Sequence, residues 1–194
     1  VAVSSFLSTL LLARMAGPAV IGQYALAIAT GNLLMVLALQ GLDRILIRQV
    51  AGDLRQGHKG RARRALQLIA VRVGISAIVV AAGWTLILLF TPINVRLDGN
   101  WQAMLLVGVF VIATVVYRIG VAAIRATDSP LTGQMVEAAP TVLLPPLLGL
   151  LWLAHGKPSP GLVVAFVIGL NLVAILAAWL LLRKPVRTWG SPED

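Results

Sequence analysis

The sequence has no cysteine and few charged residues. The absence of cysteine from the 194 residues excludes disulfide bonds, thiolate metal ligands and thiol catalysis. Charged residues make up only 12% of the chain, whereas soluble domains carry about twice that share. Hydrophobic residues make up 59%, and the mean hydropathy is +0.92. This composition predicts an integral membrane protein.

Acidic residues and histidines are also scarce. The chain has 7 Asp and Glu against 16 Lys and Arg, a net charge of +9, and its two histidines, His58 and His155, fall in predicted loops. It contains no Walker loop, no HExxH and no pair of acids at metal-ligand spacing. We therefore expect neither an enzyme nor a metal or cofactor site. Because the basic residues cluster beside apolar segments, they indicate an anionic membrane face and not nucleic acid.

Long apolar stretches divide the chain. A helix needs about 20 residues to cross a hydrocarbon core of about 30 Å, and continuous apolar runs favour helices over a β-barrel, whose strands alternate. The predicted fold is all-α, a polytopic bundle of six transmembrane helices. The predicted spans are 1–13, 23–42, 65–90, 101–124, 131–154 and 161–182. The first has only 13 residues before Arg14, so we expect a truncated start.

The connections between the spans carry most of the charge. Gly17 and Pro18 mark a turn within 14–22, and residues 43–64 form a basic amphipathic segment that we expect to lie in the membrane interface. Alternate connections hold eleven Lys and Arg on one side and three on the other. The positive-inside rule makes the first side cytoplasmic, with both chain ends on it. The predicted domain is 1–182, with the basic cytoplasmic loop 43–64 and a tail at 183–194.

Three charged side chains lie inside the predicted spans: Arg72, Arg118 and Glu137. Counted from the span ends, all three lie about 9 to 10 Å from the cytoplasmic boundary. Because charge inside a membrane usually faces a partner or a water-filled cavity, we predict a polar vestibule, with Glu137 paired to an arginine. Alternatively, each arginine snorkels to the interface on its long stem.

The fifth predicted span combines polar residues with prolines. Gln134, Glu137 and Thr141 follow i, i+3, i+7 spacing, so one polar stripe should face protein or water. Each proline removes a backbone donor, which predicts a kink whose freed carbonyls are satisfied by neighbours or water. The kink is either a hinge or a static feature. The prolines of this span are Pro140, Pro145 and Pro146.

Three of the amide side chains inside the predicted spans are Asn32, Gln40 and Asn171. Amides in membrane helices commonly hydrogen-bond to a neighbouring helix. We therefore predict interhelical hydrogen bonds for them in preference to ligand binding.

The first quarter of the chain resembles a known family. The marked positions are LLAR at 11–14, GP at 17–18, IGQYALA at 21–27, GLDR at 41–44 and RQVA at 48–51. This pattern resembles the N-terminal region of polysaccharide-biosynthesis (Wzx-like) flippases of the multidrug/oligosaccharidyl-lipid/polysaccharide exporter superfamily. The resemblance implies one six-helix lobe of a two-lobe exporter, with 183–194 as the start of the inter-lobe connection and the C-terminal lobe as its partner.

The resemblance also implies a function. The cargo would be an undecaprenyl-diphosphate-linked oligosaccharide that crosses the bacterial inner membrane. Arg72, Arg118 and the basic loop would attract the diphosphate, and Glu137 would pair with an arginine in the empty state or carry a coupling proton. The alternatives are a drug or cation antiporter of the same superfamily, a self-contained six-helix transporter subunit, or a non-transporting scaffold.

Overall fold

The computed structural model describes residues 2–90, 101–127, 130–155 and 159–187. Within these ranges the chain forms seven α-helices and no strand, which confirms the predicted all-α class. The helices are α1 (Ala2–Ala16), α2 (Pro18–Leu39), α3 (Leu42–Arg55), α4 (Lys59–Phe90), α5 (Trp101–Thr127), α6 (Pro130–His155) and α7 (Pro160–Arg187).

Four of these helices contain a stretch that is long and apolar enough to cross a membrane. The stretches are Val20–Leu39 in α2, Lys59–Phe90 in α4, Ala103–Thr127 in α5 and Pro160–Arg183 in α7. The other two predicted spans correspond to α1 and α6. α1 has only 15 residues, and α6 has 26 residues that include Glu137 and three internal prolines. The chain is thus a multi-pass membrane protein, and crossing by α1 and α6 stays a prediction.

Two of the predicted boundaries around α2 are wrong by several residues. The expected connection at 14–22 is a single residue, Gly17, at φ +83°, and Pro18 occupies the first turn of α2, where a proline has no hydrogen bond to lose. At the other end, Gln40 (φ +49°) and Gly41 (φ +75°) both adopt the left-handed conformation. α2 therefore ends at Leu39 and not at residue 42, and Gln40 lies in the turn.

The predicted basic segment 43–64 is divided between two helices. α3 ends at Arg55, Gly57 turns the chain at φ +78°, and α4 begins at Lys59. α3 is amphipathic, with Leu46 and Val50 buried. Gly60 is buried in the first turn of α4. At 32 residues, α4 is about 48 Å long, so its first two turns extend past a hydrocarbon core of about 30 Å.

α5 is the central helix of the bundle. It contacts α2, α3, α4, α6 and α7, and 61% of its apolar stretch is buried, the highest share among the four candidate spans. Trp84 Nε1 near the end of α4 donates a hydrogen bond to the Met104 carbonyl near the start of α5, at 2.9 Å. The two helices are therefore antiparallel. We call the end of the bundle that is formed by α3, the start of α4 and the end of α5 the basic end.

Gly31 of α2 lies directly against the ring of Phe110 in α5. A Cβ at residue 31 would come within 2.5 Å of Phe110 Cδ1, and Phe110 is buried. Overpacking of this kind costs about 1–3 kcal/mol, partly offset by about 1 kcal/mol from removal of a helical glycine. We expect Gly31→Ala to lower the melting temperature of the detergent-solubilised protein.

The matched control is Gly22→Ala, in the same helix, where an added Cβ would meet no atom within 4 Å. Equal melting temperatures for the two variants would show that α2 and α5 can separate without loss of stability.

Candidate functional site

Glu137 of α6 forms ion pairs with two arginines of α5. Its Oε1 accepts a hydrogen bond from Arg118 Nη1 at 2.9 Å, and its Oε2 accepts one from Arg125 Nη2. Arg118 and Arg125 are seven residues apart, which is two helical turns, so both lie on the α5 face that packs against α6. We call these three residues the ion cluster. The predicted pairing of Glu137 with an arginine is confirmed.

The second arginine was missed because of a helix boundary. The sequence predicts residues 125–130 as a turn, whereas α5 continues to Thr127, and Arg125 therefore stays on the helical face of Arg118. Gly133 of α6 has no side chain, and this leaves space for Arg125: a Cβ at residue 133 would lie 2.3 Å from Arg125 Cγ. The i, i+7 spacing of the two arginines was the available signal.

The ion cluster has a net charge of +1 and is only partly covered. The side chains of Arg118, Arg125 and Glu137 are 40%, 30% and 30% exposed. Each guanidinium has five N–H donors, and the carboxylate accepts a hydrogen bond from one nitrogen of each arginine. The cluster can therefore offer further donors to a second anion. Among the described residues no three His, Asp or Glu come together as a metal site.

The ion cluster borders a cavity of about 340 Å³ between α1, α2, α5, α6 and α7. Glu137 lies in its wall, beside Pro140 of α6 and Tyr117 of α5. Apolar side chains provide much of the remaining surface, among them Leu12, Phe110 and Leu144. The lining also has a set of uncharged polar side chains: Ser8, Thr9, Asn32, Thr114, Thr141 and Asn171. A cavity with both apolar and polar lining thus lies inside the bundle, beside the residue for which a vestibule was predicted.

A second cavity, of about 540 Å³, lies against the same stretch of α6. It is lined by Arg125, Gln134, Glu137, Ala138 and Thr141. The polar stripe of Gln134, Glu137 and Thr141 faces this cavity, as predicted from its spacing. Glu137 and Thr141 line both cavities. Glu137 thus borders both cavities, and its ion pairs with Arg118 and Arg125 connect this stretch of α6 to α5.

A hydrogen bond across the helices compensates for Pro140. Proline has no N–H, so Pro140 leaves the carbonyl of Val136, four residues earlier, without its helical donor. The Tyr117 hydroxyl donates to that carbonyl at 2.9 Å. The expectation that neighbours satisfy freed carbonyls is confirmed at this position. Tyr117 and Arg118 are adjacent in α5, and Val136 and Glu137 are adjacent in α6. The Tyr117 hydrogen bond and the Arg118 ion pair therefore join the two helices at the same height.

The predicted amides behave differently from one another. Asn171 of α7 is buried, and its Nδ2 donates to Thr114 Oγ1 of α5 at 3.1 Å, which confirms the interhelical bond. Asn32 of α2 is exposed to the first cavity and makes no such bond to any residue in the described ranges. Asn32 is therefore available to a molecule in the cavity.

Comparison with known protein families, with curated proteins and with solved structures finds no match. The function must therefore be argued from this site.

Arg72 lies apart from the ion cluster. It is exposed on α4, and the residues that share its face, Leu68, Ile75 and Val79, are about 60% exposed. The buried face of α4 includes Val73, one residue away and so rotated by about 100°. Arg72 points out of the bundle, and a role for it in substrate binding stays a prediction.

A double-mutant cycle tests the compensation at Pro140. Tyr117→Phe leaves the Val136 carbonyl without a donor and should lower the free energy of unfolding by about 1–2 kcal/mol. Pro140→Ala restores a backbone N–H that reaches the same carbonyl. We expect Tyr117→Phe to lower the free energy of unfolding by less in the Pro140→Ala background than in the native chain, measured by denaturation in mixed micelles.

The control for this cycle is Tyr24→Phe, since the Tyr24 hydroxyl lines the same cavity and bonds to no residue of the described part of the chain. Strict additivity of Tyr117→Phe and Pro140→Ala would contradict the coupling.

Proposed function

We propose that this chain is one lobe of an exporter that moves a polyprenyl-diphosphate-linked oligosaccharide across the bacterial inner membrane during polysaccharide biosynthesis. The observation that supports this is the ion cluster: Glu137, which lies in the wall of a cavity between the helices, forms an ion pair with Arg118. In this proposal the basic end faces the cytoplasm, where such a lipid is assembled, and both chain ends lie on that side.

The chemistry of the ion cluster suits a diphosphate. Arginine binds phosphate oxygens through two parallel hydrogen bonds, and such bonds strengthen where water is scarce. In the empty chain Glu137 occupies part of this binding capacity. A diphosphate that reaches Arg118 competes with Glu137, which keeps its second partner, Arg125. The cluster can therefore exchange one anion for another without leaving a buried charge unpaired, a state that is costly.

The size of the cavity suits a lobe that provides part of a transport path. A volume of about 340 Å³ lies at the small end of ligand pockets and matches a diphosphate with one adjoining sugar, not a whole oligosaccharide. In a two-lobe exporter of the kind that the sequence resembles, a second lobe would form the rest of the path. The polyprenyl chain would remain in the surrounding lipid.

The charge of the site favours an anionic cargo over a cationic one. A drug or cation antiporter needs an acid that is free to meet a cation. Glu137 accepts hydrogen bonds from two guanidiniums, so a cation that approaches it also meets two positive charges. Antiporter activity would require loss of both arginine contacts.

Binding of polyprenyl diphosphate to the chain in nanodiscs tests the proposal. Arg118→Ala should weaken this binding about 10- to 100-fold, because charge-assisted hydrogen bonds contribute about 1.5–3 kcal/mol. The variant should still fold, because Glu137 keeps Arg125. The control is Arg14→Ala, which removes an exposed arginine of α1 that lies outside the ion cluster and outside the basic segment 43–64, and it should leave the affinity unchanged. Equal affinities for Arg118→Ala and Arg14→Ala at equal folded amounts would refute the proposed site.

Glu137→Gln has the opposite expected effect. It removes the competing carboxylate but keeps the shape of the side chain, so the affinity for polyprenyl diphosphate should rise by about 3- to 10-fold. Neutral polyprenol is the comparator ligand and should bind both forms equally. A folded Glu137→Gln variant that no longer binds the diphosphate would show that Glu137 contacts the cargo directly. Arg72→Ala in the same assay tests the sequence prediction for that residue.

A further inference from the structure

A groove runs between α4 and α7 on the outside of the bundle. Its volume is about 410 Å³, and it is lined by Leu66, Trp179, Leu182, Arg183 and Val186. Leu66, Leu182 and Val186 are half-buried and pack against the main apolar core, so the floor of the groove is apolar. The groove shares no lining residue with the two cavities beside Glu137. It is a separate feature of the molecule.

The groove lies where the apolar part of both helices ends. In α7 the candidate membrane stretch ends at Arg183, which lines the groove. In α4 the groove begins at Leu66, directly after the basic residues of 59–64. Since the start of α4 belongs to the basic end, the groove opens there, at the depth where hydrocarbon meets lipid headgroups. Trp and Arg side chains are enriched at this depth.

One cation lines the groove on α7, and a second lies beyond its α4 end. On α7, the Arg183 guanidinium carbon lies 5.3 Å from the centroid of the Trp179 ring, a cation–π contact that holds the charge beside the groove. On α4, Lys59 lies seven residues before Leu66, within about 20° of the same helical face, and its side chain is exposed. Positive charge at the mouth and an apolar floor below it match the two parts of an acidic lipid.

We propose that this groove binds an anionic phospholipid. Arg183 and Lys59 would contact the phosphodiester headgroup, while one acyl chain lies along Leu66, Leu182 and Val186. A soluble phosphate would gain nothing from that floor, which is why a lipid is favoured over a free anion. This site is independent of the proposed cargo site, and it gives the basic end a defined lipid contact in place of a diffuse attraction.

Native mass spectrometry of the full chain in mild detergent provides the test, with phosphatidylglycerol and phosphatidylcholine of matched acyl chains as the probes. Arg183→Gln should lower the affinity for phosphatidylglycerol about fivefold, the effect of one cation near a headgroup. Adding Lys59→Gln should bring the loss to about 25-fold. Arg183→Lys keeps the charge and should stay within about twofold of the native chain. Affinity for phosphatidylcholine should not change.

Arg48→Gln is the matched control, because it removes an exposed arginine of α3 outside the groove. If Arg48→Gln lowers phosphatidylglycerol binding as much as Arg183→Gln does, the attraction is diffuse and the site is refuted. Competition by soluble glycerol phosphate as effective as that by the lipid would also overturn it. Brominated phosphatidylglycerol should quench Trp fluorescence less in Trp179→Phe than in the native chain, and equal quenching would contradict the location.

The lipid site and the cargo site can fail separately. Arg118→Ala should leave phosphatidylglycerol binding intact, and Arg183→Gln should leave polyprenyl-diphosphate binding intact. If either single variant lost both kinds of binding, the two ligands would share one site.

Discussion

The pairing of Glu137 with Arg118 and Arg125 is the interaction on which the arrangement of α5 and α6 depends. An ionised side chain inside a membrane is costly unless it has a partner, so each member of the ion cluster constrains the position of the others. The hydroxyl of Tyr117 adds a neutral bond to the same interface, at the carbonyl that Pro140 leaves free. α6 has three internal prolines. These bonds hold it against α5, the most buried of the candidate spans.

The cavity exists because α6 approaches α5 through polar groups and not through a continuous apolar seam. Elsewhere α5 packs closely: Gly31 of α2 accepts the Phe110 ring, and Gly120 lies against Ala178 of α7. At these two contacts the helices leave no space for an added Cβ. Along α6, by contrast, Glu137 and Thr141 line open space on two sides. α5 thus packs closely against α2 and α7, whereas its contacts with α6 at this level are polar.

The arginines discussed above lie in two different environments. Those of α3 and of the start of α4 lie at the basic end, where the proposed orientation would place them among lipid headgroups. Arg118 lies about 14 Å from the end of α5 and depends on a carboxylate. This difference separates the two proposed anion sites. The proposed site at the membrane edge would recognise a lipid by charge and an apolar floor, whereas the proposed site within the bundle would recognise a diphosphate by displacement of an internal counter-ion.

The sequence by itself determined the fold class, the four stretches that are long and apolar enough to cross a membrane and the pairing of Glu137 with an arginine, because apolar length and the cost of isolated charge are local properties. Its boundaries were less accurate. Two positive φ values at Gln40 and Gly41 end α2 early, and the continuation of α5 to Thr127 brings Arg125 onto the face of Arg118. Neither could be read from composition, since turn residues and helix formers overlap at such positions.

Only the tertiary structure decided which charges meet. Arg72 and Arg118 have the same predicted depth in the membrane, and sequence spacing alone treats them alike. Arg118 lies on the face of α5 that packs against α6, while Arg72 lies on the outward face of α4. The rotation of each helix about its axis is set by the sum of its contacts with several neighbours. That sum is a property of the assembled bundle, and it separates an arginine that can reach Glu137 from one that faces outward.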